Sequence, residues 1–187
     1  MEFLYIEQIL AGDIPRFAYF VDTYKDMAYT IAFRIVNNRE DTEEVVQDAF
    51  VKAYTSLHTF RQDSKFSTWL YKIVVNMALS KIRKKKLWLD ERAMEELTCM
   101  PDTGLEDAYK SLVKAEQEKI IQQALGEMSM EDSLLLTLYY LQEQTLDEIE
   151  EITGIPKENA KVKIHRARKK MYLIIDKKLV AELKYSI

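Results

Sequence analysis

Between Thr145 and Met171 the chain reads TLDEIEEITGIPKENAKVKIHRARKKM, an order of residues that few local structures accommodate. Thr145 and Glu148 have the spacing of a capping box, in which hydroxyl and carboxylate satisfy backbone donors at a helix start. Leu146, Ile149 and Ile152 follow at helical intervals, so one face of a short helix is apolar. Gly154 suits the left-handed residue that ends such a helix, and Pro156 sits where a second can begin. The second helix carries Lys157, Lys161, Lys163, Arg166, Arg168, Lys169 and Lys170 against one acid, Glu158. A helix pair with a tight turn and a cationic second member can place side chains in a DNA major groove. The bland alternative is a surface hairpin whose lysines serve solubility.

The rest of the chain follows the same period. From Arg16 to Val36 the residues Phe17, Phe20, Val21, Tyr24, Met27, Ala28, Ile31, Ala32 and Ile35 form one apolar helical face. Asn37 to Glu40 break it. Asp41 then reads as the cap of a second helix, with Glu44 three places on, running to about Leu57 and burying Val45, Ala49, Phe50, Ala53 and Tyr54. A polar loop from Arg61 to Lys65 leads to a third helix, Ser67 to Lys86. Its core side is Phe66, Leu70, Ile73, Val74, Met77 and Ile82. Trp69, Lys72, Asn76, Ser80 and Arg83 fall at offsets of three and four and make a second stripe. Aromatic and amide groups beside cations suit single-stranded bases, but Trp69 as an ordinary core residue competes with that reading.

Only 4 Gly and 3 Pro leave little material for hairpins, so the expected fold is all-α. Around Pro101 to Gly104 the helical pattern loosens among acids, which marks a linker. We therefore expect two small helical domains, 1–87 and 113–187, joined by an acidic linker at 88–112, the second domain ending in the helix-turn-helix. Ile120, Ile121, Ala124, Leu125 and Met128 predict one helix of that domain, and Leu134 to Leu141 another.

Charge is sorted along this chain. Net charge is −4, so a nonspecific nucleic-acid coat is excluded and any such contact must come from local segregation. Lys72 to Lys86 holds six cations and no acid, and Lys157 to Lys170 is the other basic tract. Acids crowd into Glu40–Asp48, Asp90–Asp107 and Glu143–Glu151. The single cysteine, Cys99, excludes an intrachain disulfide and reads as an inert linker thiol; with His58 and His165 it forms no metal-ligand spacing. No metal or cofactor is expected. The N-terminus lacks the features of a signal peptide, and no apolar run approaches the roughly 18 residues of a membrane span. These features read as a cytoplasmic protein without membrane insertion.

The segment FAYFVDTYKDMAYTIAFRIVNNREDTEEVVQDAFVKAYTSLHTFRQDSKFSTWLYKIVVNMALSKIRKKK resembles the second conserved region of extracytoplasmic-function (ECF) sigma factors. LDEIEEITGIPKENAKVKIHRARKKM is similar to their fourth region. The resemblance implies a dissociable, non-enzymatic subunit that binds bacterial RNA polymerase core and directs it to promoter DNA, held in trans by an anti-sigma factor. It implies core binding by Asp41, Glu44, Gln47, Asp48 and Phe50. Minus-ten contacts are implied for Phe60, Arg61, Asp63, Ser64, Lys65, Phe66, Trp69, Lys72, Asn76, Ser80, Arg83 and Lys84, with Tyr71 beside them. Minus-thirty-five contacts are implied for Lys157, Glu158, Asn159, Lys161, Val162, Lys163, Arg166 and Arg168. Glu158, Asn159, Ala160 and Val162 depart from the residues common in the family, which implies altered promoter specificity and leaves open which positions reach bases. Two other readings of the residues remain: a stand-alone helix-turn-helix regulator, and a helical adaptor that binds only protein.

Overall fold

Apolar periodicity is realised as helix after helix in the computed structural model, which describes residues 2–89 and 120–185. They are α1 (Glu2–Leu10), α2 (Phe17–Val36), α3 (Arg39–Thr55), α4 (Phe66–Leu89), α5 (120–126), α6 (Met130–Leu136), α7 (Leu146–Thr153) and α8 (Lys157–Tyr185). Among the described residues no helix is long and apolar enough to cross a membrane. The expected acidic linker and Cys99 lie outside the described residues, apart from the linker's first positions, which are the end of α4.

α2, α3 and α4 form a three-helix unit whose centre is aromatic. Phe20 and Phe66 are almost completely buried, with ring centroids 4.2 Å apart, and Leu57, Leu70 and Val74 close the space around them. Each such side chain stabilises the fold by about 1.5–3 kcal/mol on burial. α1, which the sequence reading did not anticipate, covers this unit by burying Ile6 and Ile9.

Two adjacent asparagines make the α2–α3 corner. Asn37 takes the left-handed conformation (φ 50°) and donates its N–H to the Phe33 carbonyl at 2.9 Å. Asn38 is the N-cap of α3, its Oδ1 accepting from the Asp41 N–H at 2.9 Å. This corrects the expectation that Asp41 is the cap: the helix starts earlier, and Asp41 lies within its first turn. An amide at the cap leaves the Asp41 carboxylate available for partners elsewhere.

α5 to α8 form the second unit, with an aliphatic interior of Leu134, Leu135, Leu136, Leu138, Ile149, Ile152, Ala160, Ile164 and Ala167. The helix expected over Leu134 to Leu141 is α6 followed by a π turn at Thr137–Leu141. The Thr145–Glu148 capping box is present, and Gly154 ends α7 at φ 73°. The two units share one continuous core, since α6 packs on α2 and α7 packs on α4.

Candidate nucleic-acid interface

α4 turns two different cationic faces outward. Lys72, Asn76 and Arg83 are exposed along one row, with Lys84 and Lys86 at its end. Ser80 within that row is half-buried, donating to the Asn76 carbonyl at 2.8 Å and accepting from Arg83 Nη2 at 3.2 Å. Lys81 and Lys85 turn instead toward α3. Lys81 Nζ lies 2.6 Å from Glu44 and 3.4 Å from Asp41, and Lys85 Nζ lies 2.9 Å from Asp41. The hydrogen bond from Lys85 holds the Asp41 carboxyl below its usual range despite partial burial, and Glu44 holds the Lys81 ammonium above its own.

This network alters the expected acidic docking row. Gln47 and Asp48 stand exposed on α3 without a hydrogen-bond partner among the described residues, whereas Asp41 is committed to α4 and Glu44 shares Lys81. Phe50, expected as the apolar anchor, is 7% exposed and belongs to the core. Its neighbour Val51, 62% exposed, is the apolar group that α3 presents. The helical period explains the correction: Phe50 shares the inward face with Val45, Ala49 and Ala53.

Aromatic residues at the start of α4 also divide between core and surface. Phe60 and Phe66 are buried, so neither presents a ring to solvent as a base pocket requires. Trp69 is half-buried, its ring 5.3 Å from Phe60 and 5.6 Å from Phe66. It therefore rests on the core and keeps an open side, which joins the two readings the sequence left in competition. Tyr71 is buried, and loss of hydration pushes its hydroxyl up to about 12.

The loop 61–65 between these rings is exposed except at Ser64. Gln62 holds φ 62°, a left-handed conformation unusual for a residue with a side chain and unmarked by any turn residue at that position. Arg61 and Asp63 pair across the tip at 3.4 Å. Lys65 Nζ lies 2.9 Å from Glu148 of α7, and Ser64 Oγ donates to Glu151 at 3.4 Å.

α8 buries Ala160, Ile164 and Ala167 and exposes Lys157, Glu158, Asn159, Lys161, Val162, Arg166 and Arg168. The sequence-predicted residues of this helix are thus exposed, with one exception. Lys163 is half-buried and its ammonium is bonded to Glu131 of α6. Lys157 pairs with Asp147 at 2.8 Å, which raises its pKa, and its backbone N–H donates to Glu150 at 3.0 Å. Arg168 donates to the Tyr140 hydroxyl at 3.4 Å. Lys161 and Arg166 make no ion pair among the described residues, and Val162 is an exposed apolar group between them.

Comparisons with known proteins fit this arrangement of two units. The family model for sigma-70 region 2 matches residues 20–87, and that for sigma-70 region 4 matches residues 118–171. The ECF RNA polymerase sigma factor SigW of Bacillus subtilis is 37% identical over 169 residues, covering 87% of this chain and 90% of the relative. RNA polymerase sigma factor SigV of the same organism is 30% identical over 159 residues, covering 84% and 89%. Among solved structures, the sigma factor RpoE of Bartonella quintana, in complex with the anti-sigma factor NepR, has the same fold. It aligns with TM-score 0.69 at 19% identity, covering 86% of this chain and 96% of that one. CnrH, solved with the cytosolic domain of CnrY, aligns with TM-score 0.64 at 19% identity over 92% and 96%. The relatives do not favour a stand-alone helix-turn-helix regulator. With both sigma-70 regions matched and SigW similar along most of its length, this chain belongs to the extracytoplasmic-function family of RNA polymerase sigma factors.

Proposed function

We propose that this sigma factor divides its work between the two helical units, residues 1–87 and 113–187, with 88–112 as the connection. The observation that carries the reading is the exposed row of Lys72, Asn76 and Arg83 on α4, continued by Lys84 and beginning beside the half-buried Trp69. Cations at that spacing neutralise backbone phosphates, the salt-sensitive part of affinity. The Asn76 amide and the open side of Trp69 offer hydrogen bonding and stacking to the unpaired bases of the minus-ten strand. Arg61, Asp63, Ser64 and Lys65 act from the adjoining loop, and Phe60 and Phe66 support it from beneath.

α8 enters the minus-thirty-five major groove. Asn159 offers an amide to an adenine edge and Val162 an apolar contact to a thymine methyl, while Lys161 and Arg166 meet phosphate or guanine. Glu158 and Arg168 flank these residues, and Lys157 fixes the helix start through Asp147. Polymerase core docks on α3 at Gln47, Asp48, Glu44 and Val51, a charged row around an apolar centre. Asp41 positions α4 from within this face. The protein works in the cytoplasm, performs no catalysis of its own and is held by an anti-sigma factor in trans, as RpoE of Bartonella quintana was captured with NepR.

Run-off transcription with reconstituted core polymerase tests the whole reading, and Asn76→Ala tests its centre. The variant should lower open-complex yield about tenfold, the loss of one base contact, and leave co-elution with core unchanged. Equal open-complex formation by variant and wild type removes Asn76 from base recognition.

A further inference from the structure

α1 brings to the minus-ten loop a side chain that no assignment above includes. Ile6 and Ile9 recur at helical spacing and are buried, which seats α1 on the first unit. Phe3 stands three positions before Ile6 and continues the same stripe past the edge of the core, where it is 47% exposed. The Tyr24 hydroxyl donates to Glu2 Oε1 and pins the helix start beside it. α1 also packs on the short turn Leu57–Thr59, which leads directly into Phe60 and the loop. Phe3 thereby lines an open cleft of 480 Å³ together with Gln62, Asp63, Ser64 and Lys65. Openings of about 300–1,000 Å³ accommodate a small ring system.

Phe3 supplies what the loop itself lacks. Unpaired bases are held by stacking on an aromatic face and by cations on their phosphates. The rings that flank the loop, Phe60 and Phe66, are turned into the core and pack on each other and on Trp69. Phe3 makes no ring contact among the described residues, so its phenyl group is uncommitted. Lys65 keeps 64% of its side-chain surface exposed while paired with Glu148, which leaves it open to a phosphate. The remaining wall of the cleft, Asp147, Glu148 and Glu151 of α7, is anionic and repels phosphate. What fits between Phe3 and the loop is therefore an uncharged base, with its backbone outside at Lys65.

We infer that Phe3 is a base-stacking residue of the promoter-binding surface: its ring receives one unpaired base of the strand that loop 61–65 and the Lys72–Arg83 row hold. This inference rests on the assignment of that loop to the minus-ten strand. It adds α1 to the surface, a helix that precedes the residues matched by the region 2 family model, 20–87. Stacking is tolerant of base identity, because every base has a π-face. Phe3 therefore contributes affinity for opened DNA and none for the intact minus-thirty-five duplex.

Fluorescence anisotropy with reconstituted holoenzyme tests this, using a labelled non-template strand that spans the minus-ten element of a promoter the holoenzyme transcribes. Phe3→Ala should weaken strand binding about tenfold, the loss of one stacked base. Phe3→Leu, which keeps an apolar side chain without a π-face, should weaken it as much, and Phe3→Trp should bind as wild type does. A scan of the strand with single abasic sites should find one position at which wild type and Phe3→Ala bind equally. Leu4→Ala removes the exposed neighbour of Phe3 on α1 and should leave binding unchanged. Wild-type binding by Phe3→Ala or Phe3→Leu, equal loss from Leu4→Ala, or an abasic scan without such a position overturns the inference. Thermal melts confirm that the variants fold. Asn76→Ala measured in parallel separates this inference from the reading beneath it. If Asn76→Ala weakens strand binding and Phe3→Ala does not, Phe3 alone is removed; if neither does, the minus-ten assignment fails and the inference falls with it.

Discussion

α4 and α8 are both rich in lysine and arginine, yet they dispose of their charges differently. On α4 the paired cations, Lys81 and Lys85, face α3, and the row containing Lys72, Arg83 and Lys84 makes no ion pair among the described residues. On α8 paired and unpaired cations are interspersed along the helix. Lys157 joins Asp147 of α7, Lys163 joins Glu131 and Lys170 joins Asp132 of α6, and Lys178 joins Glu127 just beyond α5. Lys161, Arg166 and Lys169 lie between them. Exposed pairs of this kind each contribute about 0–1 kcal/mol, so stability is not what their number explains. Ala160, Ile164 and Ala167 seat α8 in the core, and the pairs tie it at its margins to α7, α6 and the end of α5. In the role proposed above, α8 must present one edge to duplex DNA, whereas α4 is seated on an aromatic core and can leave a whole row bare.

The two interiors support the same contrast, and three experiments bear on it in decreasing order of effect. Phe66→Ala removes a ring that touches Phe20, Tyr24, Phe60 and Trp69 and should cost about 3–5 kcal/mol in denaturant unfolding. Minus-ten strand binding by the folded fraction should fall with it, because Trp69 loses part of its support. Ile149→Ala, in the aliphatic interior, should cost about 2–5 kcal/mol and leave strand affinity of the folded fraction no lower than wild type. Equal effects on strand binding from the two variants would break the contrast.

A second experiment separates the bare cations of α8 from the paired ones. Lys161→Ala should weaken minus-thirty-five duplex binding and reduce the salt slope by about 1. Lys163→Ala should change the slope less, since its ammonium is engaged by Glu131 before DNA arrives. If Lys163→Ala shifts the slope as much as Lys161→Ala, the pairs on α8 are exchanged for phosphate and do not orient the helix.

The smallest effect concerns the cations of α4 that face α3. Asp41 has its carboxyl pKa lowered by Lys85 and Lys81, so its stabilising contribution is complete above the ordinary value of 3.8 and is lost as pH falls through the lower folded value. Asp41→Asn should cost about 0.5 kcal/mol near neutrality and flatten the acid limb of the stability curve below pH 3.8. An acid limb of unchanged steepness would mean that the network contributes nothing beyond its geometry.

Much of this was legible from residue order alone. The capping box, Gly154 and the spacing of Ile149 and Ile152 specified α7 and its turn, because local backbone demands decide those positions. Which cations are paired was not legible, since Glu131 lies 32 positions from Lys163 and Glu44 lies 37 from Lys81. α1 escaped notice because nine residues give only two buried positions, Ile6 and Ile9, and no capping side chain announces it. The inward turn of Phe60 had no periodic signal either, as it sits in a loop. Gln144, 6% exposed and accepting from the Thr68 hydroxyl at 3.4 Å, was silent for a further reason: a buried amide carries no mark in a sequence until its partner is known.

The corner between α2 and α3 has a mechanical consequence. Only Asn37 and Asn38 separate the two helices, and each closes one helix end with its own hydrogen bond. There is no slack in such an elbow: one inserted residue would rotate α3 by about 100° relative to the interior it now fits. A push on the outer side of α3 is therefore delivered to α2 as a lever delivers it, without being absorbed in a loop on the way.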